Sequence, residues 1–414
     1  MSSGSPGKYL MEIRLFNKVI DNITKLSNKL QGRIERRRMV SLTPDKPAIG
    51  NVLISYLLHP FLLKPNEPVP NSHTHYWECL QISKTFLDMG YCVDVIRFDN
   101  DVFIPQKEYA FFIETRWNLQ RSAAFLNKDC IKIFHADSAH LLFHNAAEAK
   151  RLLNLQERRK ITLIPRRFEL PNQAIEYADV TVVLGNKFTI DTYKYANKPI
   201  YRVPISAPVL YPWSEDKDFD TCRKNFLWFG SAGLVHKGLD LLLDAFSQMP
   251  DYHLTICGPI SKESDFEKAF HKELYQTFNI HTVGWVDVSS QKFVEIINSC
   301  AAIIYPSCSE GGGGCVIGCM HAGLIPIVSY EASVDVSPDY GILLKDSSIT
   351  EIKASVEKIA NLSPQILKQM AKNSWKFVRE NHTQERFAQI YQDTINQIAS
   401  KYNNNYPQKL LTRV

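Results

Sequence analysis

Short apolar blocks along the first half of the chain alternate with longer stretches whose apolar side chains recur at helical spacing. Residues 52–57, 92–96, 109–113, 131–134, 180–184 and 200–203 read as strands. Between the first two, residues 73–89 carry Cys79, Ile82, Phe86 and Met89 on one helical face, and Gly90 closes the segment. A second series of the same kind follows. Residues 225–229, 253–257, 281–283, 302–305, 326–329 and 341–344 read as strands. Leu239, Leu242, Leu243 and Phe246 mark the helix after Gly238. Near the end, Phe387, Ile390, Tyr391, Ile395 and Ile398 mark a helix over 383–400.

Repeated β-α-β units predict parallel sheets with helices on both faces. Two such series predict an α/β chain of two Rossmann-like, doubly wound domains facing a cleft. The first domain is expected over 47–205, completed by helix 383–400, and the second over 222–382. The Pro- and acid-rich stretch 206–221 reads as a linker, and 401–414 as a disordered tail. Residues 1–46 read as a basic, partly helical extension, its helix over 8–38 suited to a peripheral contact with an anionic membrane surface. The alternative for that helix is packing on the body of the protein.

Charge supports this division. Of the net charge of +5 over 414 residues, the first 46 hold +6, so the body is near neutral. A neutral body argues against nucleic acid as a partner. No apolar run reaches the length of a membrane span. Nine cysteines, odd in number and scattered, argue against a disulfide framework and for a reducing cytoplasm, with the basic extension able to reach the inner membrane surface.

In open α/β sheets, ligands sit at the carboxyl ends of the strands. Two clusters occupy such positions in the second series. Gly230, Ser231, Ala232 and Gly233 lead into Lys237 and Gly238, a strand-to-helix turn whose amides could approach an anion while Lys237 supplies a point charge. Pro306, Ser307 and Glu310 precede Gly311, Gly312, Gly313 and Gly314. An ordinary turn needs one or two glycines, so four suggest close approach of a ligand to the backbone, with Glu310 accepting hydrogen bonds from sugar hydroxyls. In the first series, His73, His75, Glu114, Arg116, His135 and Asp137 stand at strand ends or before the first helix, where they suit an acceptor or the reaction centre. Cys308, Cys315, Cys319 and His321 cluster in sequence, but their spacing does not match a structural zinc site, and no metal is expected.

The order of Gly-loop, Lys237-Gly238, Pro306-Ser307, Glu310, Gly313, Ala322-Gly323 and Pro326-Ile327-Val328 resembles retaining GT-B glycosyltransferases of family 4 (glycosyltransferases group 1), well over 222–398 and more weakly over 50–205. The resemblance implies transfer of a sugar from a nucleotide-sugar donor to a sugar, lipid or other hydroxyl acceptor, without a metal or other cofactor, in glycan or glycoconjugate synthesis. It implies that Lys237 meets the donor diphosphate, that Glu310 meets the transferred sugar, and that Gly313, Gly314 and Cys315 begin the helix that holds them. It further implies that Gly258, Gly284, Trp285 and Val286 line the nucleotide base. Two positions depart from the family pattern. Its second glutamate falls at Gly318, and its arginine after the first strand is replaced by Ser231, Ala232 and Gly233. A non-catalytic GT-B binding or scaffold subunit and a GT-B nucleotide-sugar epimerase are therefore kept as alternatives.

Overall fold

The computed structural model describes residues 36–405. Most of the helix expected over 8–38 and the part of the tail beyond residue 405 lie outside them. The chain builds two sheets. The first runs β1 (Met39–Leu42), β2 (Asn51–Tyr56), β3 (Cys92–Arg97), β4 (Phe111–Glu114), β5 (Ile131–Ala136), β6 (Val180–Val183) and β7 (Ile200–Arg202), in spatial order β1-β3-β2-β4-β5-β6-β7. The second runs β8 (Asn225–Phe229), β9 (His253–Cys257), β10 (Ile280–Gly284), β11 (Ala302–Tyr305), β12 (Ile325–Ser329) and β13 (Ile342–Leu344), in order β10-β9-β8-β11-β12-β13.

All pairings in the second sheet are parallel, and its order is that of the doubly wound dinucleotide-binding fold, with strand order reversing between β8 and β11. In the first sheet the order reverses between β2 and β4. These reversals open a crevice at each sheet's carboxyl edge. They place the loops after β8 and β11 side by side, and likewise those after β2 and β4.

Five helices position the site: α1 (His75–Asp88), α2 (Leu141–Arg159), α3 (Leu239–Phe246), α4 (Gly314–His321) and α5 (Gln384–Asn405). Helix α5 returns to the first sheet, where Phe387, Tyr391, Ile395 and Ile398 join a core with Val52, Ile54, Cys79 and Ile82. Helix α2 does the reverse. It follows β5 in the first half of the sequence, yet Leu155, and Leu163 just beyond it, are buried in the core of the second sheet with Leu239, Leu242 and Phe246.

Two expected boundaries move. Residues 39–42 belong to the first sheet and not to an extension, because Met39 to Leu42 pair antiparallel with Ile96 to Val93. Alternation is too short in a four-residue edge strand to show in the sequence. Residues 401–405 continue α5 instead of starting a tail.

Candidate active site

Lys237 and Glu310 stand after β8 and β11, the two strands flanking the reversal in the second sheet. Lys237 Nζ lies 2.6 Å from Glu310 Oε1 and 2.8 Å from Tyr305 Oη. Glu310 Oε1 also accepts from Tyr305 Oη at 2.8 Å and Ser307 Oγ at 2.9 Å. One carboxylate oxygen thus gathers three donors. Burial by itself would raise the Glu310 carboxyl, but the Lys237 ammonium, with the Arg167 guanidinium, reverses this and holds it well below the usual carboxylate range. Glu310 is therefore an anion at every pH at which the chain is folded near neutrality.

The loop bearing Glu310 is pinned by imidazoles from both halves. His236 Nε2 donates to the Ser309 carbonyl at 2.6 Å, and His144 Nε2 donates to the Arg167 carbonyl at 2.8 Å. With Nε2 donating, His144 Nδ1 accepts from Ser309 Oγ at 3.0 Å. Burial pushes both imidazoles down, so both are neutral, as this tautomer requires. His144 was not legible as a site residue, because nothing in the local sequence shows that α2 crosses to the second sheet.

The glycine loop packs against the first half of the chain. A Cβ on Gly311 would overlap the Asp137 carbonyl, and one on Gly312 would lie 3.4 Å from Ile205. Gly312 and Gly313 have positive φ, and Gly313 caps α4. Much of the glycine run is thus needed for approach of chain to chain. In the loop after β8, the Gly233 and Leu234 amides donate to the buried Glu263 carboxylate at 2.5 and 3.3 Å. Those amides are engaged by a carboxylate and are not open to an anion. Gly230 and Gly258 pack on each other and on Trp228. Ser231 is exposed, Cys315 is half-buried at the start of α4, Val286 is buried, and Trp285 after Gly284 is 65% exposed.

Across the interface, His75 Nδ1 lies 3.7 Å from Asp137 Oδ2 and Arg116 pairs with the same carboxylate. The His73 and His75 rings meet at a tilt of 59°, their centroids 4.1 Å apart. His73 feels the charges of Asp137, Arg167, Lys237 and Glu310, which brings the residues after β2, β5, β8 and β11 into one neighbourhood. Two expected members adjoin it but are fully enclosed. His135 is fully buried between Tyr56 and Tyr391, and both its ring nitrogens lack hydrogen-bond partners. Glu114 is fully buried and accepts from the Arg116 amide at 2.7 Å; burial pushes its carboxyl up to about 7. Both are enclosed within the half of the molecule built on the first sheet, and the period-two pattern of β4 and β5 does not distinguish an enclosed strand end from an open one.

Two hollows flank the pair. One of about 310 Å³ is lined by Arg116, Ser138, His140, Glu169 and Tyr193. The other, of about 220 Å³, is lined by Gly233, His236, Glu263 and Arg166. Neither is lined by Lys237 or Glu310. Among the described residues, no group of three or more His, Cys, Asp or Glu is placed to hold a metal ion. Cys308 instead faces His236 Nδ1, and His321 faces the His382 carbonyl. Among the same residues no helix is long and apolar enough to cross a membrane.

Residues 215–377 match the family model for glycosyl transferases group 1. The chain carries a glycosyltransferase group 1 domain. It is also similar in fold to solved GT-B structures. Sucrose-phosphate synthase from Thermosynechococcus elongatus is 14% identical, with a TM-score of 0.58 over 85% of this chain and 99% of that one. HepE from Anabaena, in complex with UDP and glucose, is 12% identical, with a TM-score of 0.53 over the same shares of the two chains. No curated protein sequence matches the chain. The group 1 domain encloses β8 to β13, so Lys237, Tyr305, Ser307 and Glu310 all lie within it.

Proposed function

We propose that the chain is a glycosyltransferase that moves a sugar from a nucleotide-sugar donor to an acceptor hydroxyl with retention of configuration. The observation that carries this reading is the Lys237–Glu310 pair at the strand-order reversal of a group 1 domain. HepE, of similar fold, is solved with UDP and glucose, which supports a nucleotide-sugar donor here. The proposed domains follow the two sheets, with 39–205 and α5 facing the acceptor and 222–382 facing the donor.

The chemistry follows from the charges. The bond between sugar and phosphate breaks as negative charge develops on the leaving diphosphate. Lys237 meets that charge, helped by the first amides of α4, which have no acceptor within their own helix. Glu310 uses its second oxygen to orient the sugar hydroxyls while the first stays bound to Lys237. The acceptor hydroxyl enters from the His73, His75 and Asp137 side, and its proton passes to the leaving phosphate oxygen. No metal or other cofactor has a part in this scheme. A site able to hold a drug-sized ligand spans about 300–1,000 Å³. Neither hollow described above is lined by Lys237 or Glu310, so in this reading the halves part to admit the donor and close over it. All nine cysteines are unpaired, which supports a reducing cytoplasm as the place of action.

The second reading is a non-catalytic subunit. It is favoured by Gly318, where an added Cβ would meet nothing within 4 Å, so packing does not forbid the carboxylate that the family has there. The two are separated by incubating the protein with UDP-, GDP- and ADP-sugars and candidate acceptors and following the anomeric signal by NMR. Transfer with the donor's configuration supports the proposal. Inversion removes the retaining mechanism, product without acceptor indicates epimerisation, and no turnover of any donor leaves the scaffold.

A further inference from the structure

Two arginines along the interface between the halves keep a buried guanidinium nitrogen without a partner, Arg151 Nη1 and Arg167 Nε, but Arg151 still donates to the Pro306 carbonyl at 3.0 Å. Arg116 pairs with Asp137, Arg158 with Asp240 and Asp244, Arg159 with Asp244 and Glu273, and Arg166 with Asp265. The Arg167 Nε is buried and has no hydrogen-bond partner. A buried guanidinium nitrogen without an acceptor is costly, and its persistence marks a place where an acceptor is expected.

The backbone of Arg167 is fixed. Its amide donates to both oxygens of Glu148 at 3.0 Å, and its carbonyl accepts from His144, whose other nitrogen holds Ser309. Its stem crosses the loop after β8, where a Cβ on Gly233 would fall 2.5 Å from Arg167 Cγ and 2.8 Å from Cδ. Gly233, with φ of +92°, is thus the residue that lets the stem lie there. The guanidinium charge reaches both Glu310 and His73, groups that Lys237 also influences. The loop itself offers an anion less than expected, because Glu263 occupies the Gly233 and Leu234 amides.

We propose that Arg167, reaching across from the first half of the chain, is a phosphate-contacting residue of the donor site, acting beside Lys237 on the diphosphate of the nucleotide sugar. This rests on the donor-site reading above. It explains how Ser231, Ala232 and Gly233 can stand where the resembled family has a cation: the small residues make room for an arginine arriving from another element. It also makes diphosphate binding depend on the docking of α2 and the segment after it onto the second domain. A guanidinium suits this role, since its planar fork can bind two phosphate oxygens at once.

The test is calorimetry on the full chain at fixed ionic strength, using UDP, GDP and ADP and the corresponding monophosphates. Wild type is compared with Arg167→Ala, Arg167→Lys, Lys237→Ala and, as a neighbouring control, Arg166→Ala. For whichever diphosphate binds wild type, Arg167→Ala is expected to weaken it about tenfold or more while changing monophosphate affinity much less. Arg167→Lys should recover part of the loss, and Arg166→Ala should bind as wild type. Undiminished diphosphate binding by Arg167→Ala, with Lys237→Ala impaired, would overturn the role of Arg167 alone. Failure of wild type to bind any of the three diphosphates would overturn the donor-site reading and this inference with it. Retained monophosphate binding shows that the variant is folded.

Discussion

Gly311 rests on the backbone of Asp137, so closely that any side chain at 311 would collide with the Asp137 carbonyl. This contact joins the loop after β11 to the loop after β5 and therefore joins the two halves at the centre of the site. Gly311→Ala should force them apart. The expected cost is about 1–3 kcal/mol, the usual range for overpacking. Urea unfolding would measure the loss, and small-angle scattering would show a larger radius. An unchanged radius with unchanged stability would mean that the contact is not a constraint.

The clamp between α2 and α3 yields a second prediction. Asp240 is fully buried; burial pushes its carboxyl up, and Arg151 and Arg158 pull against that. Arg158 Nη2 lies 2.6 Å from it. Removing one partner of a buried pair leaves an uncompensated charge and costs about 3–5 kcal/mol. Arg158 is partly exposed, so Arg158→Ala should fall at or below the lower end of that range. The double variant with Asp240→Asn should be more stable than the single one. Chemical denaturation of the cycle checks this, and purely additive losses would show that the two residues do not interact.

His135 gives a pH dependence of definite sign. Burial lowers its imidazole from 6.5 to about 4. A depressed folded-state value means that its stabilising contribution is complete above about pH 6.5 and is lost as the pH falls toward 4. Glu78 and Glu114 act oppositely, since burial raises both from 4.5 to about 7 and their contribution is lost as the pH rises through that window. A His135→Phe variant isolates the histidine. Relative to wild type it should gain about 3 kcal/mol between pH 7 and pH 4. Urea midpoints at the two pH values would show it, and a pH-independent difference would contradict the assignment.

Gly318 is a gap that can be filled. It sits half-buried in α4, and a side chain there meets nothing within 4 Å. Gly318→Glu also replaces the poorest ordinary helix former, which is worth about 0.5–1 kcal/mol. Under the proposed function the new carboxylate reaches the nucleotide ribose, so diphosphate affinity should rise about tenfold. Calorimetry would detect it. Unchanged affinity with raised stability would place the nucleotide elsewhere.

The parallel strands of both sheets were legible because each buried strand is a compact apolar block, and the pair Lys237 and Glu310 because each lies in the loop that follows such a block. What the chain did not reveal is tertiary. Nothing local says that α2 leaves its own sheet to bury Leu155 against Leu242, so His144, Arg158 and Arg167 could not be read as neighbours of the second domain. The glycine run was legible as a demand for close approach, but not for what approaches: the nearest neighbour of Gly311 is the chain itself. His135 and Glu114 do stand at strand ends, but the sequence did not show that neighbouring side chains enclose them fully.

The most direct test of the donor site removes the ammonium at 237. Lys237→Met keeps most of the buried stem while deleting the charge, and Glu310→Gln in the same chain relieves the carboxylate left behind. Nucleotide-sugar turnover by wild type and by this double variant should differ by at least a hundredfold, with both chains folded by circular dichroism. Equal turnover by the two would show that sugar transfer, if it occurs, happens away from Lys237 and Glu310, and the account would fail.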